Sequence, residues 1–115
     1  MSNEPKRVDW RACDMRGANL AGMDLGGVDF RAADLRGVNF SNTMMRNADF
    51  RGALLEGANF QNANLYGAKM QGVEAGQADF CGADLRCVNF GGAYANGGVK
   101  VQRTEWKSAE EKCSA

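Results

Sequence analysis

A five-residue period constrains this chain more than any other feature of its sequence. From residue 8 to residue 97, eighteen consecutive units place a large apolar residue at each multiple of five, except for Ala75 and Ala95. A smaller residue, usually Ala or Val, stands two places earlier, and Asp or Asn usually stands between the two. This period fits neither an α-helix, with about 3.6 residues per turn, nor a simple alternating strand. The repeat therefore has to be interpreted before any local secondary structure.

A short extended segment followed by a turn can repeat every five residues if each turn redirects the chain by about a right angle. Four such units close a four-sided coil, and stacked coils then pair like parallel strands about 4.8 Å apart. The large residue and the small residue two places before it both point inward, while their neighbours point outward. Gly is frequent two places after the large residue, which suits a tight corner with positive φ.

The sequence itself supports four sides, because every twentieth residue has a related side chain. Aromatic residues collect in two opposing inner columns, and Leu or Met fills most of the other two. A period of five alone does not require this segregation, and like side chains stacked on one another fill a narrow core. The predicted aromatic core consists of Trp10, Phe30, Phe40, Phe50, Phe60, Phe80 and Phe90.

Units such as Ala18-Asn19-Leu20-Ala21-Gly22 and Ala33-Asp34-Leu35-Arg36-Gly37 resemble the A(D/N)LxX signature of the pentapeptide-repeat family. The resemblance implies an all-β fold, a right-handed quadrilateral parallel β-helix, which here would have about four and a half coils. Some family members protect DNA gyrase from toxins and quinolones by imitating DNA. Gyrase binding is therefore one function that the resemblance implies.

The two ends differ from the repeat. Residues 1–7 are predicted to be a disordered polar lead-in, and residues 8–97 form the repeat domain, with Trp10 as a lid on its first coil. Residues 98–115 are predicted to form a last strand and a short helix that begins after Thr104. Trp106 on this helix is expected to cap the final coil, where Ala75 and Ala95 leave a gap. The alternative is a dimer formed through that end rather than a capped monomer.

Composition excludes several classes of function. The chain of 115 residues has fourteen acidic and fourteen basic residues, so it lacks the bulk charge that nucleic acid or anionic membranes require. It also has no apolar run of membrane-spanning length. The sequence therefore predicts a cytoplasmic protein that binds neither nucleic acid nor membrane.

Catalysis has little support because histidine, the commonest general base, is absent. The spacing of the four cysteines matches no metal motif, so we expect no metal, no cofactor and reduced thiols. A disulfide from Cys87 to Cys113 is the alternative. The glycines follow the corner positions instead of a phosphate-binding loop. The sequence thus predicts a non-enzymatic scaffold that binds another protein, of unidentified nature.

One outer surface is a candidate protein-binding face. Met44 takes an outward position that normally holds Asp or Asn, and Arg46, Tyr66 and Arg86 should stack beside it in one column. Met, Tyr and Arg are enriched in protein interfaces. Leu54 is expected to extend this patch around the corner. The alternative is a scatter of exposed apolar residues without function.

A second surface is the candidate for gyrase binding. It carries Asp14, Asp34, Glu56 and Glu74, whereas Asp9, Asp29 and Asp49 are expected to form a solvated ladder with arginines on another face. A DNA mimic needs a strongly acidic surface, but residues 8–97 contain ten acidic and eight basic residues. The scaffold is therefore preferred over gyrase protection.

Overall fold

The backbone is a solenoid of stacked four-sided coils, described for residues 8–104 by a computed structural model. The central residue of each side forms a parallel β-bridge with the residue twenty positions later, from Asp9 with Asp29 to Glu74 with Tyr94. Each bridge uses two hydrogen bonds, such as Trp10 N–H to Asp29 C=O at 2.8 Å and Asp29 N–H to Val8 C=O at 2.9 Å. Each side pairs through one residue only, so residues 8–104 contain neither longer strands nor a helix.

Each corner is a tight turn closed by a hydrogen bond from the next small residue to the preceding large one. Ala18 N–H, for example, donates to Met15 C=O at 3.0 Å. The residue just before the donor has positive φ, as at Gly17 with φ 70° and Asn42 with φ 58°. Gly and Asn adopt this left-handed conformation at the lowest cost, which explains their frequency at this place in the repeat.

The aromatic side chains form one continuous ladder along the axis of the coil. Phe60 stacks on Phe40 at 4.9 Å and on Phe80 at 5.0 Å, with nearly parallel rings. Phe50 meets Phe60 edge to face at 5.7 Å and so joins the opposing column. The phenylalanines from 30 to 60 are fully buried, whereas Trp10 and Phe90 are only partly buried at the two ends. The two columns therefore share one core.

The coil continues past Gly97 after a one-residue insertion. Lys100, twenty-one residues after Asp79, takes the bridging position there. The extra residue falls at Gly97 and Gly98, which both have positive φ. Thr104 Oγ1 then donates to Phe80 C=O at 2.5 Å and holds the chain against the preceding coil. The predicted lead-in, residues 1–7, and most of the predicted capping helix, including Trp106, lie outside the described residues.

Candidate protein-binding surface

A repeated side-chain contact fixes most turns and places their arginines. The carboxylate or amide oxygen of the central residue accepts the backbone N–H two residues later, as between Asp9 Oδ1 and Arg11 N–H at 3.2 Å. Where that later residue is Arg, its guanidinium also clamps the same carboxylate, with Arg11 Nη2 to Asp9 Oδ2 at 2.7 Å. In the described residues 8–104 this clamp occurs in six turns, at Arg11, Arg16, Arg31, Arg36, Arg51 and Arg86.

Arg46 departs from this rule because Met44 replaces the carboxylate that would clamp it. Arg46 instead lies over the Tyr66 ring, with its guanidinium carbon 4.7 Å from the ring centroid. Arg86 contacts the same ring at 5.4 Å while it keeps its ion pair with Asp84 at 2.8 Å. The structure thus brings Arg46, Tyr66 and Arg86 into a stacked column. Within residues 8–104 Arg46 forms no ion pair, although its charge helps to lower the pKa of Asp84.

Two exposed methionines adjoin this column. Met44 is 51% exposed and Met23 is 42% exposed. They are neighbours, because Met44 N–H donates to Met23 C=O at 3.0 Å. Asp24 bridges to Met44 from the preceding coil. Together with the arginine and tyrosine column they define the Met44 face, which consists of Met23, Asp24, Met44, Arg46, Tyr66 and Arg86.

Leu54 does not belong to this face, so the expectation that it extends the patch is wrong. It bridges to Asp34 and Glu74, and it follows Met44 by ten residues, which is two corners of the coil. In a four-sided coil two corners lead to the opposite face. Leu54 is also half-buried there.

The opposite face is the one that holds the predicted acidic residues, and only part of its charge is free. Asp14 and Asp34 are clamped by Arg16 and Arg36 at 2.9 and 2.6 Å. Glu56 and Glu74 form no ion pair among residues 8–104. They border a shallow cavity of about 170 Å³, which Gly76, Tyr94 and Asn96 also line. The acidic face therefore presents two free carboxylates rather than four.

The predicted ladder of Asp9, Asp29 and Asp49 with their arginines lies on a third face. Its carboxylates are less exposed to solvent than the sequence indicates. The Asp49 side chain is only 1% exposed, because Arg51 pairs with it at 2.7 Å and Arg31 lies 3.8 Å away. Asp29 is 8% exposed for the same reason. The prediction of a fully solvent-exposed lattice is therefore wrong at these two positions, where the arginines themselves exclude water.

The clamps hold the carboxylates in the ionised form. Hydrogen bonds from Arg11 lower the pKa of Asp9 to about 2. Hydrogen bonds from Arg16, Arg36 and Arg86 likewise place the pKa values of Asp14, Asp34 and Asp84 below their usual range. Burial opposes ionisation of Asp49, but hydrogen bonds from Arg51 outweigh it and lower that pKa as well.

The cysteines divide into two kinds. Cys13 and Cys81 are free and half-buried. Cys87 is disulfide-bonded, so the expectation of reduced thiols is wrong for this residue. In the part of the chain that the structure describes, no group of three or more His, Cys, Asp or Glu side chains is arranged to hold a metal ion.

At the C-terminal end of the described coil, apolar residues line a cavity. Ala75 and Ala95 line a cavity of about 140 Å³ together with Phe80, Phe90, Ala93, Tyr94 and Val99. Tyr94, which lines this cavity, is 61% exposed. The predicted gap beside the two alanines is thus present among the described residues. Trp106, which is predicted to cap this gap, lies outside the described residues.

The family model for pentapeptide repeats matches residues 13–52, 45–78 and 71–97, with eight copies of the repeat. These matches span more than half of the chain, and the coil geometry agrees with them. The chain belongs to the pentapeptide repeat family.

Several solved structures are similar to this chain. A pentapeptide repeat protein (Rfr23) from the cyanobacterium Cyanothece 51142 is 24% identical, with a TM-score of 0.52, over 86% of this chain and 91% of that one. QnrB1, a plasmid-mediated fluoroquinolone resistance protein, is 21% identical in a trypsin-treated variant, with a TM-score of 0.59, over 85% of this chain and 53% of that one. At these identities, both similarities establish the fold and nothing about function.

A third similar structure is a pentapeptide repeat protein from the thylakoid lumen of Arabidopsis thaliana. It is 32% identical, with a TM-score of 0.46, over 78% of this chain and 62% of that one. No curated protein matches the chain. No helix of membrane-spanning length and hydrophobicity occurs in residues 8–104.

Sequence reasoning found most of the Met44 face but omitted Met23 and Asp24. Met23 occupies a position that normally points into the core, so periodicity alone assigns it inward. Met23 lies in the first described coil and is 42% exposed there. The sequence does carry one sign that Met23 is unusual, because Met is larger than the Ala or Val that the repeat usually has at this position.

Proposed function

We propose that this protein is a non-enzymatic rigid scaffold that binds another protein through the Met44 face. We take the coil to be right-handed, as the family resemblance implies. The observation that carries the proposal is Arg46, a cation released from the carboxylate clamp found at six other corners, directly beside exposed Met44.

The chemistry of the face supports protein binding. A guanidinium stacked on an aromatic ring keeps its N–H groups free for a bidentate carboxylate. Met44 and Met23 add flexible apolar surface that adapts to a partner's shape. Met, Tyr and Arg are also the residue types enriched at interfaces and their hot spots. The rigid coil holds these groups in register before a partner arrives, which lowers the entropic cost of binding.

Gyrase protection by DNA mimicry is less well supported by the geometry. A mimic of the phosphate backbone needs unpaired negative charge along the rod. Six aspartates are instead neutralised by arginines at 2.6 to 2.9 Å. The likeness to QnrB1 is at 21% identity and concerns the fold.

The proposal can be tested by capture of partners from lysate of the native cell with tagged protein and with a Met44→Asp variant. This substitution removes apolar surface and restores the clamp on Arg46, so the partner should be lost while the fold is retained. A Leu54→Asn variant changes the same repeat position on the opposite face and should keep the partner.

Two results would contradict the proposal. One is a partner held equally by the wild-type protein and by Met44→Asp. The other is gyrase subunits retained by both proteins but lost when Glu56 and Glu74 are replaced by Gln, which would favour the mimicry function.

A further inference from the structure

We infer that a disulfide between Cys87 and Cys113 ties the C-terminal segment, residues 105–115, across the apolar cavity at the end of the coil, with Trp106 in the cavity. The segment lies outside the described residues, but Thr104, from which it starts, and Cys87 are both described. This cap belongs to the end of the rod, so it is independent of the partner proposed for the Met44 face.

The partner of Cys87 follows by elimination. The chain has four cysteines, at positions 13, 81, 87 and 113. Cys87 is disulfide-bonded, whereas Cys13 and Cys81 are free thiols. A disulfide within one chain needs a second cysteine of that chain, and only Cys113 remains to supply it.

Both attachment points of the segment are near the cavity. Thr104 Oγ1 donates to the Phe80 C=O at 2.5 Å, and Phe80 lines the cavity. Cys87 stands three residues before Phe90, which lines the same cavity and whose ring lies 6.4 Å from that of Phe80. The segment therefore leaves the coil at one cavity residue and is tied back to the coil close to another.

Trp106 is the residue of the segment that suits the cavity. Two residues span at most about 7 Å, so Trp106 stays close to Thr104. Between Thr104 and Cys113 the remaining residues are polar or charged, apart from Ala109. The cavity has a volume of about 140 Å³ and a largely apolar lining. An apolar cavity of about 150 Å³ accommodates a benzene ring, so one aromatic side chain fits here.

The tether depends on the redox state of its cysteines. A dithiol reductant exchanges with the disulfide: the Cys87 and Cys113 sulfurs take up two electrons and two protons, and the dithiol is oxidised to its own disulfide. The segment then keeps its attachment at Thr104 but loses the covalent loop that restricted its conformations. Reduction therefore releases Trp106 and uncovers the apolar cavity.

Peptide mapping tests the pairing on protein equilibrated in air without reductant. Free thiols are alkylated with N-ethylmaleimide, and the denatured, unreduced protein is digested with trypsin. The four cysteines fall in four different tryptic peptides, residues 12–16, 70–86, 87–100 and 113–115. Peptide 87–100 should be joined to peptide 113–115, with Cys13 and Cys81 alkylated. Alkylated Cys87, Cys87 joined to another peptide, or a disulfide-linked dimer would overturn the inference.

Tryptophan fluorescence tests the cap in a Trp10→Phe background, where Trp106 is the only tryptophan. Reduction with dithiothreitol should shift the emission to longer wavelength, because the indole moves from an apolar site into water. Cys113→Ser should show the shifted emission without reductant, and dithiothreitol should not change it further. Cys81→Ser, a matched change at a free cysteine, should behave as the background protein does.

An Ala95→Leu variant tests the cavity itself, because the larger side chain restores the usual residue of the repeat and takes up the space. Its emission should be shifted even while the disulfide is intact. Circular dichroism that matches the background protein separates release of Trp106 from loss of the coil. Emission that reduction leaves unchanged, or that is already that of a water-exposed indole in the oxidised background protein, would overturn the cap.

Discussion

A single side-chain oxygen atom holds most of the corners. An Asp or Asn at the centre of a side accepts the N–H two residues later, as Asn59 Oδ1 does from Gln61 N–H at 2.9 Å. These residue types favour such local side-chain to backbone bonds, which also explains their low propensity for helices. Met44 cannot accept this bond, and the corner that follows it carries the free arginine.

At this residue scale we predict that Met44→Asp does not destabilise the protein. The new carboxylate would accept the Arg46 N–H and clamp its guanidinium, while the contact of Arg46 with Tyr66 weakens. An exposed ion pair contributes at most about 1 kcal/mol, and an exposed cation–π contact contributes a similar amount. The free energy of unfolding in urea should therefore stay within about 1 kcal/mol of the wild-type value.

A larger loss on Met44→Asp would show that Met44 has a structural role. Leu54→Asn serves as the comparison at the half-buried position of the opposite face. There the removal of packed apolar surface should lower the free energy of unfolding by more than the Met44→Asp substitution does.

At the scale of the element, the aromatic ladder joins successive coils, beside the backbone hydrogen bonds between them. The rings of Phe30, Phe40, Phe50 and Phe60 contact rings of neighbouring coils and, edge to face, rings of the opposing column. Phe60 is fully buried and stacks on rings in both directions, at 4.9 and 5.0 Å. Such ring pairs contribute beyond the burial of their area.

We predict that Phe60→Ala destabilises the protein by about 3–5 kcal/mol, because it removes a buried ring and leaves a cavity that the rigid coil cannot close. Chemical denaturation followed by circular dichroism measures this change. Phe90→Ala is the matched control, since the ring of Phe90 is only partly buried at the end of the ladder. An equal loss of stability in Phe60→Ala and Phe90→Ala would contradict a core centred on the middle coils.

At the scale of the whole molecule, each coil contacts only its neighbours, so stability is a sum along the rod. The arginine–aspartate clamps recur through most of its length and cover three faces of the coil. Two of the aspartates are nearly buried, at 8% and 1% exposure of the side chain. Protonation of such carboxylates removes the charge that their arginines stabilise.

We predict that the rod loses stability on acidification below about pH 4. The clamps lower the folded-state pKa of Asp9 from 3.8 to about 2, so its contribution is complete above the unfolded value and disappears as the pH falls toward 2. The other clamped aspartates with lowered pKa add to the same trend.

Urea unfolding at a series of pH values measures this effect. Between about pH 5 and pH 8 the curve should be flat, because the chain has no histidine to titrate there. Constant stability from neutral pH down to pH 2 would show that the clamps contribute nothing to folding.

The sequence by itself predicted the four-sided coil, because a strict period of five with a secondary period of twenty fits four units per coil. It also placed Arg46, Tyr66 and Arg86 in one column, since residues twenty apart must stack. These conclusions depend only on chain geometry, which the spacing of apolar residues encodes directly.

Only the tertiary structure decided which surface groups are free and which are covered. It showed that Asp49 is buried beneath two arginines and that Met23 is exposed in the first coil. Exposure depends on which side chains of adjacent coils reach over a residue. That is set by the length and direction of those side chains, which a repeat pattern does not specify.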